Sequence, residues 1–186
     1  MKGLTRAVLI QTGLRLLDEV GLDGLSVRRL ATELGVQSPA LYWHVKTKQD
    51  LLDGIANEII LRAGMGPPEP GEEWPDWLRR RSRAYRKSLL ATRDGARVVS
   101  SAARSDETTR RFEAELAAMV ERGFTPLLAF RTIMTLSSYI TGHVLQEQQI
   151  PAGPGAAGWA KAQAELFEHG LEVILAGTRS RLTAAP

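Results

Sequence analysis

The chain has 186 residues, is 44% apolar and 24% charged, and carries a net charge of +3 without a single cysteine. This is the composition of an ordinary water-soluble protein, and it excludes a disulfide scaffold, a thiolate zinc site and a cysteine nucleophile. No apolar run approaches the ~20 residues that span a bilayer. The opening MKGLTRAVLIQTG lacks the apolar stretch and cleavage site of a secretory signal, so a cytoplasmic location away from membranes is expected.

Apolar residues recur at spacings of three and four through most of the chain, which predicts an all-α fold. A first helix is expected over about 5–20, with Ala7, Ile10, Leu14 and Leu17 as its inward stripe and Gly21 as its stop. Ser26 is a good N-cap for a second helix running to Leu34, and Gly35 ends it. Ser38-Pro39 then sets a cap before a proline at the first helical position, opening a very short helix to about His44. Thr47-Lys48-Gln49-Asp50 has the form of a capping box and starts a fourth helix carrying Leu51, Leu52, Ile55, Ile59 and Ile60. The Gly/Pro cluster from Gly64 to Gly71 is the clearest break and the expected domain junction. Beyond it, helices are expected at about 74–92, after Gly95, at about 106–122, at about 126–149 and at about 157–178, with a second break at 151–155.

Residues 1–65 carry 8 Lys/Arg against 7 Asp/Glu, so charge alone does not point to nucleic acid, and pattern has to. Two short helices joined by a glycine-containing turn form a helix-turn-helix, in which the second helix presents its N-terminal residues to base edges in the major groove. The second helix is too short to hold itself together, so Leu41 and Val45 are expected to anchor it. Tyr42 and Trp43 are either core aromatics or part of an outward DNA face. The polar neighbours, the Ser-Pro start, Lys46 and Lys48 favour the outward face.

The run Leu25-Ser26-Val27-Arg28-Arg29-Leu30-Ala31-x-x-Leu34-Gly35-Val36, followed by Ser38-Pro39-Ala40-Leu41-Tyr42-Trp43-His44-Val45-x-x-Lys48, resembles the TetR family of bacterial transcription regulators, and within it the tetracycline-repressor-like subgroup. The likeness covers about residues 4–60. It implies that Ser26 and Arg28 lie at the DNA, with Arg28 reading a base as arginine does at guanine. It implies that Gln37, Ser38, Pro39 and Ala40 face base edges. Tyr42, Trp43 and His44 would meet backbone and thymine methyls, and Lys48 would anchor a phosphate at a helix N-terminus. His44 has no nucleophile or metal partner in its motif, so no catalytic role is expected of it.

Weaker likeness continues in Trp74-x-x-x-Leu78-Arg79, in Leu89-Leu90-x-x-Arg93-Asp94-Gly95-Ala96-Arg97-Val98 and in Gly142-His143-Val144-Leu145. It implies a small-molecule effector site and a homodimer. Val99 stands where the subgroup has the histidine that binds the drug's magnesium ion, which argues against magnesium–tetracycline as effector and leaves no metal or cofactor expected. His143 and Glu147 share a helix face but are too few to hold a metal, and a helix-surface pair is expected.

Helical spacing independently places Trp74, Leu78, Tyr85 and Leu89 on one inward stripe, with Arg81 and Ser82 inside it. A charge there needs a glutamate partner, a path to the surface, or an effector group. Phe130, Met134, Ser137, Ser138 and Thr141 are candidates for an opposing pocket wall. Leu136, Ile140, Val144, Leu166, Leu171, Ile174 and Leu175 are candidates for a dimer seam built as a four-helix bundle. The sequence thus predicts a DNA-binding domain over 1–64 and a sensing and dimerising domain over 72–180, in a regulator that represses from a double-stranded operator. The rivals are a DNA-binding dimer that answers to no effector and a small α-helical enzyme, for which no acid–base set is evident.

Overall fold

A computed structural model describes residues 4–149 and 155–183 of the chain. Among the described residues there are nine helices and no strand: α1 Arg6–Gly24, α2 Val27–Glu33, α3 Ser38–Leu41, α4 Lys48–Arg62, α5 Trp74–Leu90, α6 Gly95–Ser100, α7 Asp106–Val120, α8 Pro126–Glu147 and α9 Ala156–Thr183. Their ends are chemically specified. Thr5, Ser26, Thr47, Ser105 and Thr125 each accept the amide of the third residue on, at 3.0–3.3 Å, satisfying donors that a helix leaves free. Gly21, at φ 72°, bends the end of α1, a backbone conformation open to glycine at little cost.

Leu9, Leu16, Leu17, Leu30, Leu41, Val45, Leu51 and Ile55 are almost fully buried and make one core of α1–α4. α4 leaves that core and packs on α5, α6 and α7, while α5, α8 and α9 build the larger half. α5 is held by five arginine–carboxylate pairs: Arg79–Glu172 and Arg83–Glu168 reach α9, Arg86–Glu147 reaches α8, Arg81–Glu115 reaches α7, and Arg80–Glu72 ties the helix to its approach.

Several expectations change in detail. α3 ends at Leu41 rather than at His44, because the amides of His44 and Val45 both fold back on Leu41 O at 2.9 Å. Ser38 is the first residue of α3 and not its cap; Gln37 holds that position without a side-chain bond. α9 runs to Thr183, past the expected stop near 178, and Leu182 in that extension still packs against the core. The break expected at 151–155 lies outside the described residues except for Gly155. Leu136, Ile140, Val144, Leu171 and Leu175, assigned to a dimer seam, are buried in the chain's own core and leave no area for a partner. Helical spacing finds an apolar stripe but does not say which of two apolar faces turns inward. His143 and Glu147 are likewise buried rather than on a helix surface: His143 Nε2 lies 3.0 Å from Gln163 O, and Glu147 is paired with Arg86.

Candidate functional site

At one end of the molecule α2 and α3 present a polar, aromatic rim. Leu41 and Val45 are at 0% exposure and pin the segment from beneath. Trp43 on the same short stretch is 90% exposed and Tyr42 52%, so two large rings are held outside the core that the adjacent residues complete. Ser26, Arg28, Gln37, Pro39, Ala40 and Lys48 are also exposed, and Ser38 and His44 are half-buried. The rim is braced from α1. Arg6 donates to His44 O at 2.8 Å and to Asp50 Oδ1 at 2.8 Å, and Asp50 Oδ2 accepts the Lys46 amide at 3.0 Å. The Arg6 guanidinium holds the Asp50 carboxyl below the usual aspartate range. Lys48 Nζ donates to Leu22 O at 3.0 Å, which uses one of its three donors and leaves two.

In the other half a cavity of about 470 Å³ opens between α4, α5, α6, α7 and α8, within the range of small-molecule sites. Arg81, Ser82, Tyr85, Val99, Ser137, Ser138 and Thr141 line it. Phe130 and Met134 do not. Phe130 is exposed and packs edge-on against Phe112, and Met134 Sδ meets Arg104 from outside the wall, because α8 turns its Ile133–Leu136–Ile140 face inward instead. Arg81 donates through Nε to Glu115 Oε1 at 2.7 Å, and the Glu115 side chain is at 0% exposure. Glu115, Phe112, Thr108 and Arg104 line the cavity and were missed from sequence. The signal was present: Thr108, Phe112, Glu115 and Met119 fall on one helical stripe, so an acid sits among residues that turn inward.

The chain's two ends match known family patterns. Residues 9–55 match the model for bacterial regulatory proteins of the tetR family, and residues 67–164 match the tetracyclin repressor-like C-terminal domain. The chain belongs to the TetR family. Tetracycline repressor protein class D from Escherichia coli is 35% identical to this TetR-family chain over 203 aligned positions, covering 99% of it and 93% of the relative. A solved variant of TetR from Acinetobacter baumannii AYE, in complex with minocycline, superposes with a TM-score of 0.88 at 32% identity, covering 98% of this chain and all of that one. ActR from Streptomyces coelicolor, in complex with actinorhodin, gives 0.86 at 27% identity over 97% of both chains.

As in any TetR-family regulator with two working ends, what joins them matters, and here the join is hydrogen-bonded. The segment from Ser101 to Ser105 borders the cavity through Ala102 and Arg104, and it is stitched to α4. Asp53 Oδ1 accepts the Ala103 amide at 3.1 Å, Asn57 Nδ2 donates to Ala103 O at 2.9 Å, and Asn57 Oδ1 accepts from Ser105 N at 2.8 Å and from Thr108 Oγ1 at 2.7 Å. A second join lies at the end of α1. Asp94 adopts a left-handed backbone (φ 57°) and its Oδ2 accepts the Leu22 amide at 2.8 Å. Gln148 at the end of α8 donates to Leu89 O and Thr92 O and accepts from Ala96 N.

Proposed function

We propose that the chain is a homodimeric repressor that binds a near-palindromic DNA operator and is released by a small molecule held in the cavity. The carrying observation is the rim of α3: two large aromatic side chains stand in solvent directly beside fully buried Leu41 and Val45. Folding alone does not account for exposing that much apolar ring, whereas a helix that enters a groove needs its outer side chains free. Gln37, Ser38, Pro39 and Ala40 meet base edges, Arg28 reads a base, and Tyr42, Trp43, His44 and Lys48 fix the backbone. Among the described residues Arg28, Arg29 and Lys46 form no ion pair and are available to phosphates. Two copies must place their α3 helices about 34–36 Å apart to meet successive major grooves.

The exposed apolar residues of α9 supply the second copy's seat. Trp159, Leu166 and Val173 recur every seven residues and are 47–57% exposed, a stripe that two antiparallel helix pairs bury in a four-helix bundle. Leu127 of α8, exposed and lining one groove with Val173, extends it. The effector acts to the extent that it favours one spacing of the two α3 helices over another. α4 carries that change, since it is packed in the α1–α3 core at one end and bonded to the cavity border at the other. The lining argues against magnesium–tetracycline as the effector. Val99 offers no ligand atom, and Glu115, the one carboxylate among the described lining residues, is already bound to Arg81.

Genomic fragments recovered by the purified protein, sequenced and retested by gel shift, check the reading. An inverted repeat bound in a salt-dependent manner is the expected outcome. Binding without sequence preference would end it, and an operator affinity that no small molecule alters would reduce it to an effector-independent dimer.

A further inference from the structure

The five arginine–glutamate pairs of α5 are not alike. In four of them the guanidinium engages both carboxylate oxygens: Arg79 with Glu172, Arg80 with Glu72, Arg83 with Glu168 and Arg86 with Glu147. This is the side-on fork that arginine and carboxylate form when nothing else is asked of them. Arg81 and Glu115 break the pattern. Only Arg81 Nε donates, to Oε1, and that same oxygen also takes the Gly66 amide at 3.1 Å. Oε2 of Glu115 is buried with no hydrogen-bond partner. The two terminal nitrogens of Arg81 donate to nothing among the described residues, and both side chains line the cavity. A fully buried carboxylate oxygen without a donor is rare and costly in a folded protein. Here it belongs to the same ion pair as the unused guanidinium donors and sits just behind the cavity wall, so a small side-chain shift sets an acceptor next to a donor.

We propose that the effector is an uncharged, planar molecule with one edge that sets a hydrogen-bond donor beside an acceptor, as a cyclic amide or a hydroxyaryl ketone does. The donor meets Glu115 Oε2 and the acceptor meets the free N–H groups of Arg81. This rests on the cavity being the effector site. Charge works against both kinds of ion: Arg104 at the border repels a cation, which gains no unpaired acid because Arg81 already balances Glu115, and an anion at the Arg81 terminal nitrogens would lie against the donorless Glu115 Oε2. Shape selects for a flat ring. The Arg81 guanidinium lies 5.4 Å from the Tyr85 ring centre, Phe112 stands opposite under Arg104 at 4.8 Å, and Ile133, Ile140 and Leu145 close an apolar wall.

Two matched probes test it on the full-length protein: phenanthridinone, a tricyclic cyclic amide, and its N-methyl derivative, which keeps the shape and the carbonyl but has no donor. Calorimetry or fluorescence titration is expected to give at least tenfold tighter binding of the N–H probe. Glu115→Gln turns an acceptor into a donor at the same place, so the preference collapses to near unity or inverts. Arg81→Lys, which keeps the charge but loses the fork, weakens both probes and serves where Glu115→Gln does not fold, as judged by its melting curve. Equal affinity of the two probes for the wild type, binding of neither, or a preference that survives Glu115→Gln would overturn the proposal. Gel shifts with the recovered operator separate this from the broader reading. If DNA binding yields to minocycline with magnesium but to neither probe, the edge recognition is wrong and the repressor stands. If the probes discriminate but no DNA is bound, the repressor reading falls alone.

Discussion

Asn57→Ala removes the most heavily used side chain in the join between α4 and the cavity border. Asn57 is 8% exposed and makes four hydrogen bonds, three of them to Ala103, Ser105 and Thr108. Truncation strands the Ala103 carbonyl and the Ser105 amide, both near enough to water for the lower end of the penalty, about 1 kcal/mol each. Thr108 is buried but keeps Ser105 Oγ at 3.0 Å, so its hydroxyl adds roughly half that. Alanine returns about 0.5 kcal/mol through its better helix propensity. The net loss is about 2 kcal/mol, read as a lower urea midpoint at unchanged slope and fixed protein concentration. Operator affinity at saturating folding conditions stays within about threefold, since nothing at α3 changes. The effector concentration needed for release rises, since the bonded route from cavity to α4 is cut. A variant as stable as wild type to within about 0.5 kcal/mol, or one whose effector response is unaltered, would refute the idea that these bonds carry the signal.

Trp43→Ala leaves the urea midpoint unchanged to within about 0.5 kcal/mol, because the ring touches little, yet weakens operator binding by about 1–3 kcal/mol in gel shifts; a stability loss without an affinity loss contradicts the assignment. Leu41→Ala does the reverse first, costing about 2–5 kcal/mol of stability, with DNA binding lost as a consequence of the unhooked α3. Leu166→Glu combined with Val173→Glu gives a monomer by light scattering, and a persistent dimer places the seam elsewhere. Acid titration isolates the brace at Asp50. Its carboxyl is held low by Arg6, so the stabilisation is complete above the ordinary aspartate value near pH 4 and fades as the pH falls through the depressed folded value. The stability difference between wild type and Arg6→Ala therefore narrows on acidification, and a difference that widens rules the brace out.

Much of this was legible in the chain itself where one residue dictates one local outcome. Thr5, Ser26 and Thr47 start helices as short hydroxylated caps do, Gly21 and Gly35 take positive φ where helices stop, and the cluster from Gly64 to Gly71 interrupts the chain. The exposed aromatics were legible because their neighbours are polar. What failed was the choice between faces. Leu136, Ile140 and Val144 have the same spacing whether they face their own core or a second copy, and only the packing of α5 against α8 decides. Phe130 and Met134 were misplaced by the same ambiguity on the same helix. The inward position of Glu115 is written in its stripe with Thr108, Phe112 and Met119, but its pairing is not: Arg81 lies 34 residues away, and no spacing rule links two helices across that distance.

The arginines of α5 have a further bearing on how such a molecule meets a genome. This helix holds the densest positive charge in the chain, yet each of those five guanidiniums is answered by an acid. A polyanion drifting past those arginines finds little to grip, while among the described residues Arg28, Arg29 and Lys46 of the α2–α3 rim stay unclaimed. On the proposed reading, a passing duplex therefore gains more from the α2–α3 rim than from these five arginines, which are charged but already spoken for.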